Sequence, residues 1–407
     1  MTTMETRSST TLLLISLIFS FLSALIVPST ALGFTCKNTT TVACESLIDY
    51  IPPNDTTLAS ISSLFGVTNF YSLLGANFFS LSTPSSQPFA ANDTIRIPFP
   101  CSCSNGSGIS DKVPMYTIKS GDSLDYIATN VYARLVTYQE IALVNNISDP
   151  SLIKVGQNLW IPLPCSCDKV NGNPIVENQV VHYGHVVAKG SSVEQIAVEY
   201  GTDANTLLEL NGISNANQLQ AGQLLDVPLT VCDSVVGKDS EDYPLLVANG
   251  TYALTAYNCI QCKCQPNIYI SNITMVLHCE PSEGVKPSNI SQCPSMECPN
   301  SGLLIGQTSS NCMVCDYAGY VNTTILMSYD SFSASNCSVE QKKFGERKER
   351  RGDKIENQKR NYQNGSHGFA ALVKGLAGGA EASKVAMMCF LASGREIGFD
   401  VPGFGGG

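Results

Sequence analysis

The chain has 407 residues, 17 cysteines, a formal charge of −10 and only 14% charged residues. A 43% hydrophobic content supports packed cores and excludes wholesale disorder. Residues 1–340 hold 12 Lys+Arg against 27 Asp+Glu, a net of −15 that repels phosphate backbones and argues against nucleic acid as a partner, while residues 341–407 carry a net of +5.

At the N-terminus, Arg7 precedes an apolar run from Leu12 to Val27, and Ala31-Leu32-Gly33 supplies small residues for cleavage. That order reads as a secretory signal peptide over residues 1–33, because about 16 apolar residues broken by serines fall short of a bilayer. Export makes the cysteines legible. Sixteen lie between Cys36 and Cys337, the even count expected of a disulfide framework. Sequons at Asn38, Asn54, Asn92, Asn105, Asn146, Asn249, Asn272, Asn289, Asn322 and Asn336 fit a glycosylated surface protein.

One unit then recurs three times, about 67 residues apart. The first copy places Leu58, Ile61, Ser62 and Phe65 at helical spacing. The second begins with a strand at Tyr116–Ile118 and a turn at Lys119-Ser120-Gly121-Asp122-Ser123. Leu124, Ile127, Ala128 and Val131 then share one helical face. The third follows the same order: strand His185–Val187, turn Lys189–Ser192, and Val193, Ile196, Ala197 and Tyr200 on one face. Ser192 and Gln195 there have the spacing of a capping box. A second helix ends on Asn77, Asn145 and Asn211, residues read as closing it in the left-handed conformation. A period-2 strand follows in each copy, as in Gly156–Pro162 and Gly222–Pro228, with its proline read as the stop. The expected class is α+β: three small βααβ domains, each too small to be stable without staples. The Cys101-Ser102-Cys103 and Cys165-Ser166-Cys167 pairs cannot easily bridge within themselves, so each half is expected to tie different parts of the chain together.

Tyr116-Thr117-Ile118-Lys119-Ser120-Gly121-Asp122-Ser123, Asn145-Asn146-Ile147-Ser148-Asp149-Pro150 and Gly156-Gln157 through Ile161-Pro162 resemble a lysin-motif (LysM) domain. Three such units separated by Cys-x-Cys behind a signal peptide resemble plant cell-surface LysM proteins of the chitin elicitor-binding type, some of them GPI-anchored. The resemblance implies domains over residues 34–103 (degenerate), 104–167 and 168–232, then a Cys-rich domain over 233–338. It implies disulfides Cys36–Cys103, Cys44–Cys167 and Cys101–Cys165. It implies an extracellular receptor without enzymatic activity or cofactor, binding chitin oligosaccharides, signalling through a LysM receptor-like kinase and open to ligand-induced homodimerisation. A peptidoglycan-binding receptor is the alternative, mildly disfavoured by the negative body because peptidoglycan carries carboxylates. A LysM-targeted wall hydrolase is remote.

N-acetylglucosamine polymers are neutral, with an amide to pair and a methyl to bury, so they want backbone donors, a permissive glycine and small apolar contacts. In the second copy these roles fall to Ser120, Gly121, Asp122 and Ser123 on one wall. Ile147, Ser148, Asp149, Pro150, Ser151 and Leu152 form the other. The first copy lacks the glycine and has a sequon at Asn54; in the third, Ser191 stands for the Asp and the second loop lacks Asp-Pro. Asn146-Ile147-Ser148 is itself a sequon, so a binding groove here predicts Asn146 unoccupied or its glycan pointing away. Trp160, the only Trp, is expected to pack rather than stack on sugar. His182 and His185, without a carboxylate pair nearby in the sequence, speak against zinc or general-base roles, and no metal site is expected. From Asp233 to Cys337 the Cys-x-x-Cys pairs read as disulfides rather than zinc ligands. Residues 339–407 form a basic, Gly/Ala-rich tail with the seventeenth cysteine, Cys389. Its apolar patch is too short for an anchor signal, and the segment reads as an altered C-terminus rather than a basic arm.

Overall fold

The computed structural model describes residues 33–37, 42–170, 180–232, 234–267, 274–310 and 313–331. Residues 1–32 of the signal peptide expected over 1–33, the expected tail, and Cys312, Cys337 and Cys389 lie outside them. The first repeat comprises β1 (Phe34–Thr35), β2 (Val42–Tyr50), β3 (Thr56–Thr57), α1 (Leu58–Leu64), α2 (Phe70–Ala76), β4 (Pro88–Phe89) and β5 (Ile95–Ser104), followed by β6 (Ser107–Ser110). The second has β7 (Met115–Thr117), α3 (Leu124–Tyr126, continued as a π-helical turn over Ile127–Val131), α4 (Tyr138–Val144) and β8 (Asn158–Trp160). The third has β9 (Val180–Val186), α5 (Val193–Tyr200), α6 (Ala204–Leu210) and β10 (Leu224–Thr230). The Cys-rich part contributes β11 (Tyr252–Thr255), β12 (Ile260–Asn267), β13 (Thr274–Pro281), β14 (Met313–Val321) and β15 (Thr324–Ser331).

Short polar caps start the helices. Thr57 Oγ1 accepts from Ser60 N, and Ser192 with Gln195 forms the reciprocal capping box, as does Thr137 with Glu140. The periodic apolar faces point inward: Leu58, Ile61 and Phe65, then Leu124, Ile127 and Ala128, then Val193, Ile196 and Ala197 are all buried. In each repeat the outer strands pair antiparallel: β2 with β5, β7 with β8, β9 with β10.

Two local expectations are corrected. Asn77, Asn145 and Asn211 have φ of −109°, −95° and −97°, so they do not close their helices in the left-handed region. The left-handed residue is the next one, Phe78, Asn146 and Gly212 (φ 53°, 54° and 62°). Nor does proline stop every strand. Pro98 and Pro100 lie inside β5 and Pro228 inside β10. Both stretches have a strand neighbour on one side only, since β5 pairs with β6 only from Cys101 onward and β10 is the sheet's last strand, so a missing N–H is tolerated.

The repeats are joined in different ways. A parallel pairing of β2 with β9 (Leu47 with Tyr183, Ile48 with Gly184) fuses repeats one and three into a six-stranded sheet, β1-β6-β5-β2-β9-β10. Gly184 suits this seam, because a Cβ there would sit 3.0 Å from Ile48 Cγ1. Repeats one and two instead share a core, in which Ile48, Leu73 and Ile97 are continuous with Ile127, Ile141 and Leu159. Edge-on aromatic contacts bridge it: Tyr50–Phe65 at 4.8 Å and Phe65–Tyr132 at 5.6 Å between centroids.

A disulfide from Cys36 to Cys103 closes the first repeat, and Cys44–Cys167 and Cys101–Cys165 join it to the end of the second. In the Cys-rich part Cys232–Cys264, Cys259–Cys293, Cys262–Cys279 and Cys298–Cys315 are bonded. Cys259 and Cys262, the expected Cys-x-x-Cys pair, therefore go to different partners.

The two histidines correct a premise rather than a conclusion. Each has a carboxylate partner brought from far along the chain. His182 Nδ1 lies 2.8 Å from Asp226 Oδ1, and His185 Nδ1 lies 2.9 Å from Asp49 Oδ2. Both carboxylates are buried. His182 Nε2 is also 2.8 Å from the Asp168 carbonyl, which can only accept, so Nε2 donates there while Nδ1 faces the Asp226 carboxylate. Burial alone lowers the His182 pKa, but the charge and hydrogen bond of Asp226 outweigh it and the net direction is upward. With both nitrogens engaged inside the protein, His182 has nothing left to offer a substrate.

Candidate functional site

In the second repeat, the β7–β8 ladder places the two predicted walls at one end. Beyond Thr117–Asn158 the pairing continues: Ile118 N donates to Gln157 O at 2.9 Å and Gly156 N donates to Ile118 O at 2.8 Å. The loop leaving Ile118 and the loop entering Gln157 therefore emerge side by side.

The first loop is held by its own carboxylate. Asp122 Oδ2 accepts from Lys119 N at 2.7 Å and from the Tyr116 hydroxyl at 2.9 Å. Burial, then the Asp122 hydrogen bond, push the Tyr116 pKa up, so the phenol remains a donor to this carboxylate. Gly121 is exposed at φ 91°, a conformation that disfavours side chains. Ser123 Oγ caps α3 by accepting from Tyr126 N at 3.1 Å, and Ser120 is exposed.

The second loop frames a shallow, open pocket of about 200 Å³ lined by Asn146, Ile147, Ser148, Asp149, Leu152, Ile153 and Gln157. Asp149 Oδ1 accepts from Ser151 N at 2.9 Å and from Ser151 Oγ at 2.7 Å, which starts the 3-10 turn Pro150–Leu152. These two hydrogen bonds lower the pKa of the exposed Asp149. Gln157 Oε1 accepts from Lys154 N at 3.2 Å, bracing the far end. The pocket thus combines the polar residues Asn146, Ser148 and Gln157, the anion of Asp149, and the apolar Ile147, Ile153 and Leu152, the last 69% exposed.

Of the ten residues read as walls, Ile147, Ser148, Asp149 and Leu152 line this pocket. Pro150 and Ser151 shape the turn behind it, and Ser120, Gly121, Asp122 and Ser123 lie outside its lining. Ile153 and Gln157 were not among the ten. Gln157 carried a signal, since Gly156-Gln157 repeats as Gly222-Gln223, whose Gln223 Oε1 accepts from Gln220 N at 3.1 Å in the same way. Trp160 is not part of the lining; it is half-buried, with its Nε1 enclosed.

The third repeat builds the same turn with a neutral cap, Asn215 Oδ1 accepting from Asn217 N at 2.9 Å where the second repeat uses Asp149. In the first repeat Asp55 Oδ1 accepts from Ala91 N at 2.8 Å, tying the two loops together.

The LysM domain family matches residues 116–162 and 185–228, so the first repeat lies outside both matched stretches. LysM domain-containing GPI-anchored protein 2 of Arabidopsis thaliana is 46% identical over 325 residues, 79% of this chain and 88% of that protein. Chitin elicitor-binding protein of Oryza sativa subsp. japonica is 42% identical over 316 residues, 77% of this chain and 84% of that one. Among solved structures, the ectodomain of a receptor like kinase aligns at TM-score 0.38 and 21% identity, over 47% of this chain and 94% of that chain.

Proposed function

Because this chain belongs to the plant family of LysM domain-containing proteins of the chitin elicitor-binding type, we propose that it is an extracellular receptor-like protein that binds chitin oligosaccharides through its second repeat. The observation that carries this reading is the pocket before β8, where the polar residues Asn146, Ser148, Asp149 and Gln157 stand beside Ile147, Ile153 and Leu152. That pairing suits an acetamido sugar, whose amide needs a partner and whose methyl needs an apolar contact. Ser120, Gly121, Asp122 and Ser123 supply the adjoining rim for neighbouring sugar units of an extended chain.

The protein works as three βααβ units, the first degenerate, with a Cys-rich domain behind them. It acts at the cell surface, a placement in keeping with a relative named as GPI-anchored, and signals through a LysM receptor-like kinase. A chitin oligomer longer than one groove gains by engaging two chains. No helix among the described residues is long and apolar enough to cross a membrane. The relatives at 46% and 42% identity are named as LysM domain-containing and chitin elicitor-binding proteins, so the reading is of a binding protein rather than an enzyme.

Isothermal titration with chitin octamer and with soluble peptidoglycan tests the reading. Chitin is expected to bind more tightly, because Asp122 and Asp149 flank the groove and peptidoglycan stem peptides carry carboxylates. Tighter binding of peptidoglycan overturns the choice of ligand.

A further inference from the structure

We propose that Asn146 is a glycosylation gate on the second-repeat pocket: chains carrying an N-linked glycan there are the low-affinity form, and chains without it bind oligosaccharide freely. The proposal rests on the reading of that pocket as a chitin site. Asn146-Ile147-Ser148 is an acceptor tripeptide, and all three of its residues line the pocket. A glycan attached to Asn146 Nδ2 therefore leaves the protein from the pocket lining itself, not from a distant edge.

The backbone and side chain are both suited to modification. Asn146 is exposed and sits at φ 54°, in the left-handed turn that ends α4. Among the described residues the sequon asparagines Asn92, Asn105, Asn289 and Asn322 share this exposed, positive-φ setting. Of these five, only Asn146 lines the pocket. Its carboxamide makes no hydrogen bond among the described residues, whereas the adjacent Asn145 spends its Nδ2 on the Ile141 and Trp160 carbonyls. Two neighbouring asparagines thus have opposite fates, one locked into the fold and one free.

The chemistry of an N-glycan sharpens the effect. Its first two sugars are β-linked N-acetylglucosamine, the unit the pocket is proposed to bind. Tethered beside the pocket, they compete at an effective concentration of about millimolar, and the branches beyond them exclude a second chain sterically. The repeats are graded in this respect. The first has sequons at Asn54 and Asn92 on its two corresponding loops, the second has Asn146, and the third, over 180–232, has none.

The test uses the full chain from a glycosylating host. Glycopeptide mass spectrometry measures occupancy at Asn146, and chitin octamer is titrated into four forms. These are the native chain, the chain trimmed by endoglycosidase to one N-acetylglucosamine per site, Asn146→Gly and Asn322→Gly. Glycine keeps the positive φ while removing the acceptor. Asn146 is expected to be occupied on most chains, with the unoccupied remainder as the binding-competent form the groove requires, and Asn146→Gly to bind about fivefold or more tightly than the native chain. The trimmed chain should fall between them, and Asn322→Gly should match the native chain. The trimmed chain keeps the proposal testable if Asn146→Gly fails to fold. An unmodified Asn146, or equal affinity of trimmed and native chains, overturns the gate and leaves the ligand reading intact. Absence of chitin binding in every form overturns the ligand reading, and the gate with it.

Discussion

Asn145 Nδ2 donates to the Trp160 carbonyl at 2.7 Å while the Trp160 N–H donates to Asn145 Oδ1 at 2.9 Å, so one side chain pairs with a strand as another strand would. Asn77 does the same with Arg96, and Asn211 with Asp226. Each Nδ2 also donates to the carbonyl four residues back, Leu73, Ile141 or Leu207, satisfying a helix end that would otherwise be orphaned. The asparagine is therefore the clasp between the second helix and the last strand of every repeat, and in repeat two it fixes the start of the loop that frames the pocket.

Asn145→Asp tests the clasp. A carboxylate keeps the acceptor for Trp160 N but cannot donate, leaving two carbonyls facing an anion. A loss of roughly 2–4 kcal/mol is expected. Trp160 is the only tryptophan, so its fluorescence during denaturation reports the second repeat directly. An unchanged midpoint would show that the clasp contributes nothing.

Gly75 sits where α2 meets the Cys-rich part. A Cβ there would lie 2.1 Å from the Tyr252 carbonyl oxygen, and the same tyrosine donates its hydroxyl to Phe79 O at 2.8 Å. Gly75→Ala is expected to push β11 off the first repeat, costing about 1–3 kcal/mol and opening the junction to limited proteolysis. Proteolysis at the wild-type rate would argue against the contact.

The raised pKa of buried His182 makes stability depend on pH with a definite sign. Its folded pKa is raised above the ordinary value, so its contribution is fully present below that ordinary value and lost as pH rises through the folded pKa. Denaturation midpoints from about pH 5 to about pH 9 should fall at the alkaline end for the native chain. Asp226→Asn is expected to lower the acid-side midpoint and flatten the dependence, because the neutral amide no longer favours the cation. A parallel curve for the variant would dismiss the ion pair as the cause.

Leu152 is 69% exposed and lines the pocket, so its value lies in binding rather than folding. Leu152→Ala should leave the unfolding midpoint unchanged and weaken chitin octamer binding about three- to tenfold. Wild-type affinity would move the ligand contact elsewhere.

The sequence by itself determined where the local elements lie, though not how each one ends. Periodic apolar faces gave the helices over Leu58–Leu64 and Val193–Tyr200, and Ser192 with Gln195 announced their own capping box, because these signals depend on neighbours a few residues apart. It also located the second-repeat loop whose Ile147, Ser148, Asp149 and Leu152 form the pocket. Only the tertiary structure decided what lies between distant residues. Asn145 reads locally as a helix stop, and its pairing with Trp160 appears only when the strand returns. His182 and His185 look unpartnered until Asp226 and Asp49 arrive from 44 and 136 residues away. The parallel seam of β2 and β9 and the exclusion of Ser120–Ser123 from the pocket lining belong to the same class. Spacing along a chain encodes which face a side chain takes, but which faces meet is fixed by long-range packing, and that is where hydrogen-bond and charge partners are chosen.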